Sequence, residues 1–128
     1  MIQGYVNELL EPVIEIGLKR GEATEPIPAI VDTGFSGYLC LSKRHEDKIK
    51  MVFHNVERYE LANGEVVVMD VFRGTTVFDG REQGVDLILT APEDTLIGAT
   101  LLRDYLLTID YPRRSVRVEQ AAGGDREV

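Results

Sequence analysis

The chain has 128 residues, of which 44% are hydrophobic and 28% charged, and it carries a formal charge of −8 at pH 7. That is the composition of one folded domain of ordinary size, so a two-domain arrangement and a largely disordered chain are both disfavoured. The negative balance speaks against nucleic acid, whose phosphates call for clustered cations, and tight basic pairs such as Lys43-Arg44 and Arg113-Arg114 read as solvated turns. One cysteine, Cys40, excludes an intramolecular disulfide. Met1 to Tyr5 show no basic region followed by an apolar core, and runs such as Val66-Val67-Val68-Met69 are far too short to span a bilayer. No membrane partner and a cytoplasmic location are therefore expected.

Along the chain the dominant period is two, the mark of strands with alternate side chains facing a core. Ile14, Ile16 and Leu18 alternate with Val13, Glu15 and Gly17, predicting a strand that ends at Lys19-Arg20-Gly21. Ala29 to Val31 predict a buried strand leading into Asp32, and Tyr38 to Leu41 another short one. Ser42 suits an N-cap for the polar stretch Lys43 to Lys50. Tyr59-Glu60-Leu61 and Val66 to Phe72 flank Asn63-Gly64, the strongest two-residue hairpin signal. Thr75 to Phe78 and Val85 to Leu89 form a second pair around Asp79-Gly80. Leu96-Ile97-Gly98 then leads into a short amphipathic helix over Ala99 to Tyr105. Leu106 to Tyr111 and Ser115 to Val118 close the chain as a hairpin about Pro112-Arg113-Arg114, and residues 121–128 are small and polar enough to form a flexible tail.

The most informative segment is Ile30-Val31-Asp32-Thr33-Gly34-Phe35-Ser36-Gly37. A strand that ends in an acidic residue on a Gly-containing turn holds a carboxylate at a defined place. Thr33 offers a hydroxyl beside it, and Gly34 removes the side chain that would keep a substrate backbone away. The Asp-Thr-Gly motif occurs once.

Asp-Thr-Gly after an apolar strand, the hairpin around Ala62-Asn63-Gly64, and Leu96-Ile97-Gly98 followed by Leu101-Leu102 stand in an order that resembles one lobe of the pepsin-like and retroviral aspartic proteases. The closing hairpin, Leu107 to Tyr111 with Val116-Arg117-Val118, is similar to that of a pepsin lobe, so the likeness spans residues 12–118. The resemblance implies an all-β domain, a closed acid-protease-type β-barrel lobe with one short C-terminal helix. It also implies an aspartic endopeptidase that needs neither cofactor nor metal. Peptide hydrolysis of this type uses two carboxylates about a hydrogen bond apart, one deprotonating water while the other, protonated, donates to the carbonyl oxygen. One motif then implies a homodimer in which Asp32 of each subunit meets its own copy on the two-fold axis, the two titrating as a coupled pair. In the same likeness Thr33 bonds across the dimer, Gly34 offers backbone groups to an extended peptide, and Leu61-Ala62-Asn63-Gly64-Glu65 is a flap over the substrate.

Two departures stand out. The retroviral pattern has a small residue and then Asp after Asp-Thr-Gly, with Arg after the downstream Gly, where this chain has Phe35, Ser36 and Ala99. Both partners of a bracing ion pair are absent together, which strands no buried charge. The dimer must therefore be held differently, with the C-terminal hairpin or the Ala99 helix as candidates. Phe35 either fills a substrate pocket and narrows specificity or packs inward and stiffens the loop; Ser36 is placed to hydrogen-bond near the aspartates.

The remaining reactive residues point elsewhere. His45 and His54, nine apart with no Cys nearby, are expected on the surface. Cys40, between Leu39 and Leu41, is expected to act as a small buried apolar group, and Ser42 has no readable triad partners. The alternatives to an endopeptidase are a non-catalytic dimeric peptide-binding module and a regulatory domain whose hairpin adds to another protein's sheet edge.

Overall fold

In the computed structural model, residues 1–121 are described; the expected tail, apart from Ala121, lies outside the described residues. Strands β1 (Ile2–Val6), β2 (Pro12–Arg20), β3 (Ala23–Val31) and β4 (Leu39–Ser42) are followed by a 3₁₀ turn over Lys43–Lys48. Then come β5 (Met51–Glu60), β6 (Val66–Phe78), β7 (Arg81–Thr90), β8 (Leu96–Ile97), the helix α1 (Ala99–Leu102), β9 (Tyr105–Asp110) and β10 (Ser115–Gln120). The all-β class read from the sequence is the observed one. No helix among the described residues is long and apolar enough to cross a membrane.

All the strands join one sheet in the order β5-β6-β7-β4-β8-β3-β2-β1-β10-β9, and a further pairing of β6 with β2 closes a ring. The ring runs β2-β3-β8-β4-β7-β6 and back to β2. Its interior collects the inward residues of each alternating strand: Ile14, Ile16 and Leu18 from β2, Ile27, Ala29 and Val31 from β3, Leu39 and Leu41 from β4, and Phe78, Leu87 and Ile97. At about 1.5–3 kcal/mol for each fully buried aliphatic or aromatic side chain, this cluster is the main source of stability. Two wings leave the ring: β5 extends β6 into a long hairpin, and β1, β10 and β9 extend β2. Phe78 links the ring to the second wing, because its ring meets that of Tyr105 edge-to-face at 5.1 Å.

Several expectations needed correction. Val66 to Phe78 form one continuous strand rather than two pieces, since β5 and β7 flank it on either side and carry the pairing through Arg73-Gly74. The helix stops at Leu102, and Tyr105 belongs to β9, where it pairs with Gln120. The polar stretch after Ser42 is a 3₁₀ turn ending at Lys48, with the Ser42 hydroxyl accepting the Arg44 amide at 3.4 Å. β3 starts at Ala23, well before the expected strand. Pro26 and Pro28 are tolerated there because β8 covers only Ile30 and Val31, leaving β3 unpartnered on one side at the prolines.

Phe78→Ala is expected to lower stability by about 3–5 kcal/mol, since it empties a fully buried site and cuts the contact between ring and wing. Urea unfolding followed by far-UV circular dichroism measures it. A loss below about 1 kcal/mol would contradict the placement of Phe78 at this junction.

Candidate active site

The loop that carries Asp32 is fixed by backbone hydrogen bonds on both sides. β8 lies parallel to β3 and antiparallel to β4, inserted between them. From this position the Ile97 carbonyl accepts the Asp32 amide at 2.9 Å, and the Tyr38 carbonyl accepts the Gly98 amide at 2.9 Å. The first residues of α1 complete the frame: the amides of Ala99 and Thr100 donate to the carbonyls of Phe35 (2.8 Å) and Gly37 (3.2 Å). The Thr100 hydroxyl donates to the Ser36 carbonyl. Asp32 stands at the mouth of this frame, half-buried, while Thr33 and Gly34 are exposed.

Within the loop Asp32 organises its own turn. Its carbonyl accepts the Phe35 amide at 3.1 Å, and its Oδ1 accepts the Gly34 amide at 3.0 Å. That leaves Oδ2 without a hydrogen-bond partner among the described residues. A carboxylate with one oxygen anchored and the other available is what water activation asks of each member of a pair. The Thr33 and Ser36 hydroxyls likewise make no hydrogen bond among the described residues, so the expected contact of the Ser36 side chain near the aspartate is not present within one chain.

Phe35 packs onto its own loop, as the second of its expected roles requires. Its ring lies over Gly37 and Gly98: a Cβ added to Gly37 would stand 2.6 Å from Phe35 Cζ, and one on Gly98 would stand 2.7 Å from Cδ2 and collide with the Gly37 carbonyl. Only glycine leaves room for this approach. The ring is nevertheless half-exposed and walls two cavities.

The larger cavity, about 730 Å³, lies between Phe35 of the Asp32 loop and the β5–β6 tip and is lined mainly by apolar groups, among them Phe35, Leu61, Val67, Met69, Ile88 and Leu96. The tip itself is a five-residue turn. The Leu61 amide donates to the Glu65 carbonyl at 2.7 Å, the Gly64 amide to the Leu61 carbonyl at 2.9 Å, and Asn63 Oδ1 accepts the Glu65 amide at 2.9 Å. Leu61, Ala62, Asn63 and Gly64 are all exposed. Sequence reasoning named this tip but missed Val67, Met69, Tyr59 and Ile88. The alternation of Val67 and Met69 with Val66 and Val68 was the available signal, but it does not say which face turns to the groove.

Cys40 departs from expectation. Leu39 and Leu41 point into the core, so alternation turns Cys40 to the opposite face, where it lines the larger cavity. Burial, and then the negative charge of Asp32, push its thiol up to about 11. His45 is half-buried rather than on the surface, with Nε2 enclosed and without a hydrogen-bond partner among the described residues, and burial followed by the charges of Arg44 and Lys48 lowers its pKa. His54 is exposed, as expected. No group of three or more His, Cys, Asp or Glu side chains suited to a metal ion occurs among the described residues.

The same architecture occurs in solved proteases. A retropepsin-like aspartic protease from Rickettsia conorii superposes with a TM-score of 0.66 at 20% identity, over 92% of this chain and 89% of that one. EIAV protease, in complex with the inhibitor HBY-793, superposes with a TM-score of 0.55 at 17% identity, over 77% of this chain and 90% of that one. No family model and no curated protein sequence matches the chain. The likeness shows that this chain has the retropepsin-like aspartic protease fold.

Both causes of the Cys40 shift disfavour the thiolate. Alkylation by iodoacetamide at pH 8 is expected to be slower than for a free thiol, by on the order of a hundredfold. Asp32→Asn removes one of the two causes and is expected to speed it. An unchanged rate in the variant would contradict the electrostatic contact between Asp32 and Cys40.

Proposed function

We propose that the protein is an aspartic endopeptidase that hydrolyses peptide bonds of extended substrates as a homodimer, through water held between the Asp32 carboxylates of two subunits. The observation that carries the reading is the Asp-Thr-Gly loop itself. It sits at the end of β3 with its amide tied to Ile97, one carboxylate oxygen engaged by Gly34 and the other open, in a fold shared with aspartic proteases.

Pairing follows from the chemistry. A lone carboxylate beside water is a base without an acid; two that share one proton supply both. The ionised Asp32 would take a proton from water as it attacks the scissile carbonyl carbon, and the protonated Asp32 would donate to the carbonyl oxygen, giving a tetrahedral diol. The carboxyl that took the proton from water would then pass it to the amide nitrogen while the other carboxylate takes a proton from a diol hydroxyl; the C–N bond breaks to an amine and a carboxylic acid, and the pair is again left with one shared proton. The exposed Thr33 hydroxyl is free to bond across the two-fold axis, and exposed Gly34 can offer its backbone to an extended peptide. The β5–β6 tip, standing over the 730 Å³ cavity, would act as the flap that excludes water. No cofactor or metal is needed for these steps. A cytoplasmic setting belongs to the same proposal and would require the pair to stay singly protonated near neutral pH.

With Ser36 and Ala99 in place of a charged pair, the loop is braced inside its own chain by the Phe35, Ser36 and Gly37 carbonyls and the start of α1. The dimer contact then falls to other surfaces.

Asp32→Asn is expected to fold and sediment like the wild type while losing about 10²–10⁴-fold in turnover of a diverse peptide library. Cleavage that persists undiminished in the variant would refute the proposal. Wild-type and variant proteins that bind the same peptide equally, with neither cutting it, would favour a peptide-binding module.

A further inference from the structure

Two cavities meet at Phe35, three residues beyond Asp32. On one side of the Phe35 ring is the apolar cavity under the β5–β6 tip. On the other is a smaller one of about 210 Å³, lined among others by Ser36, Tyr38, Glu57, Tyr59 and Asp86. The two share Phe35, Tyr59 and Ile88 as walls, so whatever fills them must be close neighbours.

Their chemistry differs. In the larger cavity the lining is mainly apolar, with two exposed carboxylates, Glu60 and Asp94, in it; Glu57 of the smaller cavity is exposed as well, so the two spaces differ in the apolar lining of the first and in the aromatic rings around a hydrogen-bonded carboxylate in the second. The smaller cavity is faced by three aromatic rings, Phe35, Tyr38 and Tyr59, with Glu57 and Asp86 beside them. The Tyr59 hydroxyl donates to Glu57 Oε2 at 3.0 Å, which turns that carboxylate toward the recess. Burial first, then this bond and the charge of Glu57, raise the Tyr59 phenol to about 12, so it stays a neutral donor. Asp86 is shared with Arg73, whose Nε lies 3.3 Å away, leaving Glu57 as the lining carboxylate with no ion pair among the described residues. An aromatic recess with one uncompensated carboxylate favours a cation, through charge-assisted hydrogen bonding and the faces of the rings. The overall charge of −8 works in the same direction by attracting basic segments.

We propose that Phe35 is a specificity-determining residue that splits the cleft into an apolar subsite and a cation subsite. The ligand class it selects is an extended peptide with a bulky apolar side chain and a Lys or Arg on the same face. In an extended strand same-face side chains are two residues apart, about 7 Å, which suits cavities with common walls. Phe35 sets the partition because Gly37 and Gly98 let its ring pack closely on the loop while it lines both spaces.

The inference rests on the reading of this groove as a peptide cleft, but binding tests it apart from hydrolysis. Fluorescent peptides of the forms Leu-x-Lys, Leu-x-Glu and Leu-x-Leu are titrated into the Asp32→Asn protein. The Lys peptide is expected to bind about tenfold more tightly than the Glu peptide. Glu57→Lys on the same background, a change at an exposed position that leaves the core untouched, is expected to reverse that order. Phe35→Ala is expected to bring the three peptides within about twofold of one another, and Phe35→Leu, which keeps an apolar contact on Gly37 and Gly98, to fall between. Equal binding of Lys and Glu peptides, or a preference that survives both Glu57→Lys and the Phe35 substitutions, overturns the inference. If the wild type cuts none of these peptides while Asp32→Asn binds them in the expected order, the hydrolytic reading fails and the two-subsite cleft stands.

Discussion

Two residues of strand, Leu96 and Ile97, fix everything that matters about Asp32. Inserted between β3 and β4, they run parallel to one and antiparallel to the other. They therefore offer backbone groups both to the residue that ends β3 and to the segment that starts β4. The 2.9 Å bond from the Asp32 amide to the Ile97 carbonyl ends the strand at the aspartate, and the equal bond from Gly98 to Tyr38 closes the loop behind it. Thr95 secures the same crossing from the other end, its hydroxyl accepting the Ser42 amide and its carbonyl the Ile30 amide. Because these are main-chain bonds at the edge of the core, a polar group that a shift left buried and unmatched would cost about 1–3 kcal/mol, and the carboxylate is held accordingly.

In the proposed enzyme a held carboxylate is still half of a proton-transfer device, and with a solitary Asp-Thr-Gly a second copy would supply the acid to match the base. The Asp32 loop itself is held without a charged brace to the helix. Phe35 on its two glycines, and the carbonyls that receive Ala99 and Thr100, stiffen the loop from within. The same ring walls the groove, so in the proposed enzyme rigidity and selectivity come from one side chain.

Much of this was legible in the sequence where local pattern and tertiary demand agree. The Ile14-Ile16-Leu18 alternation, the Asn63-Gly64 turn and the Asp32 loop followed by Leu96-Ile97-Gly98 each carry their own signal. What escaped depended on partners. β1 shows its nature only beside β10, and Pro26 and Pro28 hid the length of β3 although the sheet leaves them room. Tyr105, apolar enough for a helix, was claimed by pairing with Gln120. The side of the β5–β6 hairpin that faces the groove depends on its twist and on a register shift between Phe53 and Asn55, so Val67, Met69 and Tyr59 could not be assigned. Cys40 was misjudged for a related reason: its neighbours are core residues, and alternation therefore turns it away from the core.

The central claim is that two Asp32 residues, one per subunit, act as a single unit. Subunit mixing tests it most directly: wild-type protein is equilibrated with an equal amount of Asp32→Asn protein, and turnover is measured per wild-type chain. If a site needs both carboxylates, about half of the wild-type chains end in mixed, inactive dimers and the activity per wild-type chain falls about twofold. Activity per wild-type chain that stays unchanged after full exchange would mean that each subunit works alone, and would contradict the account.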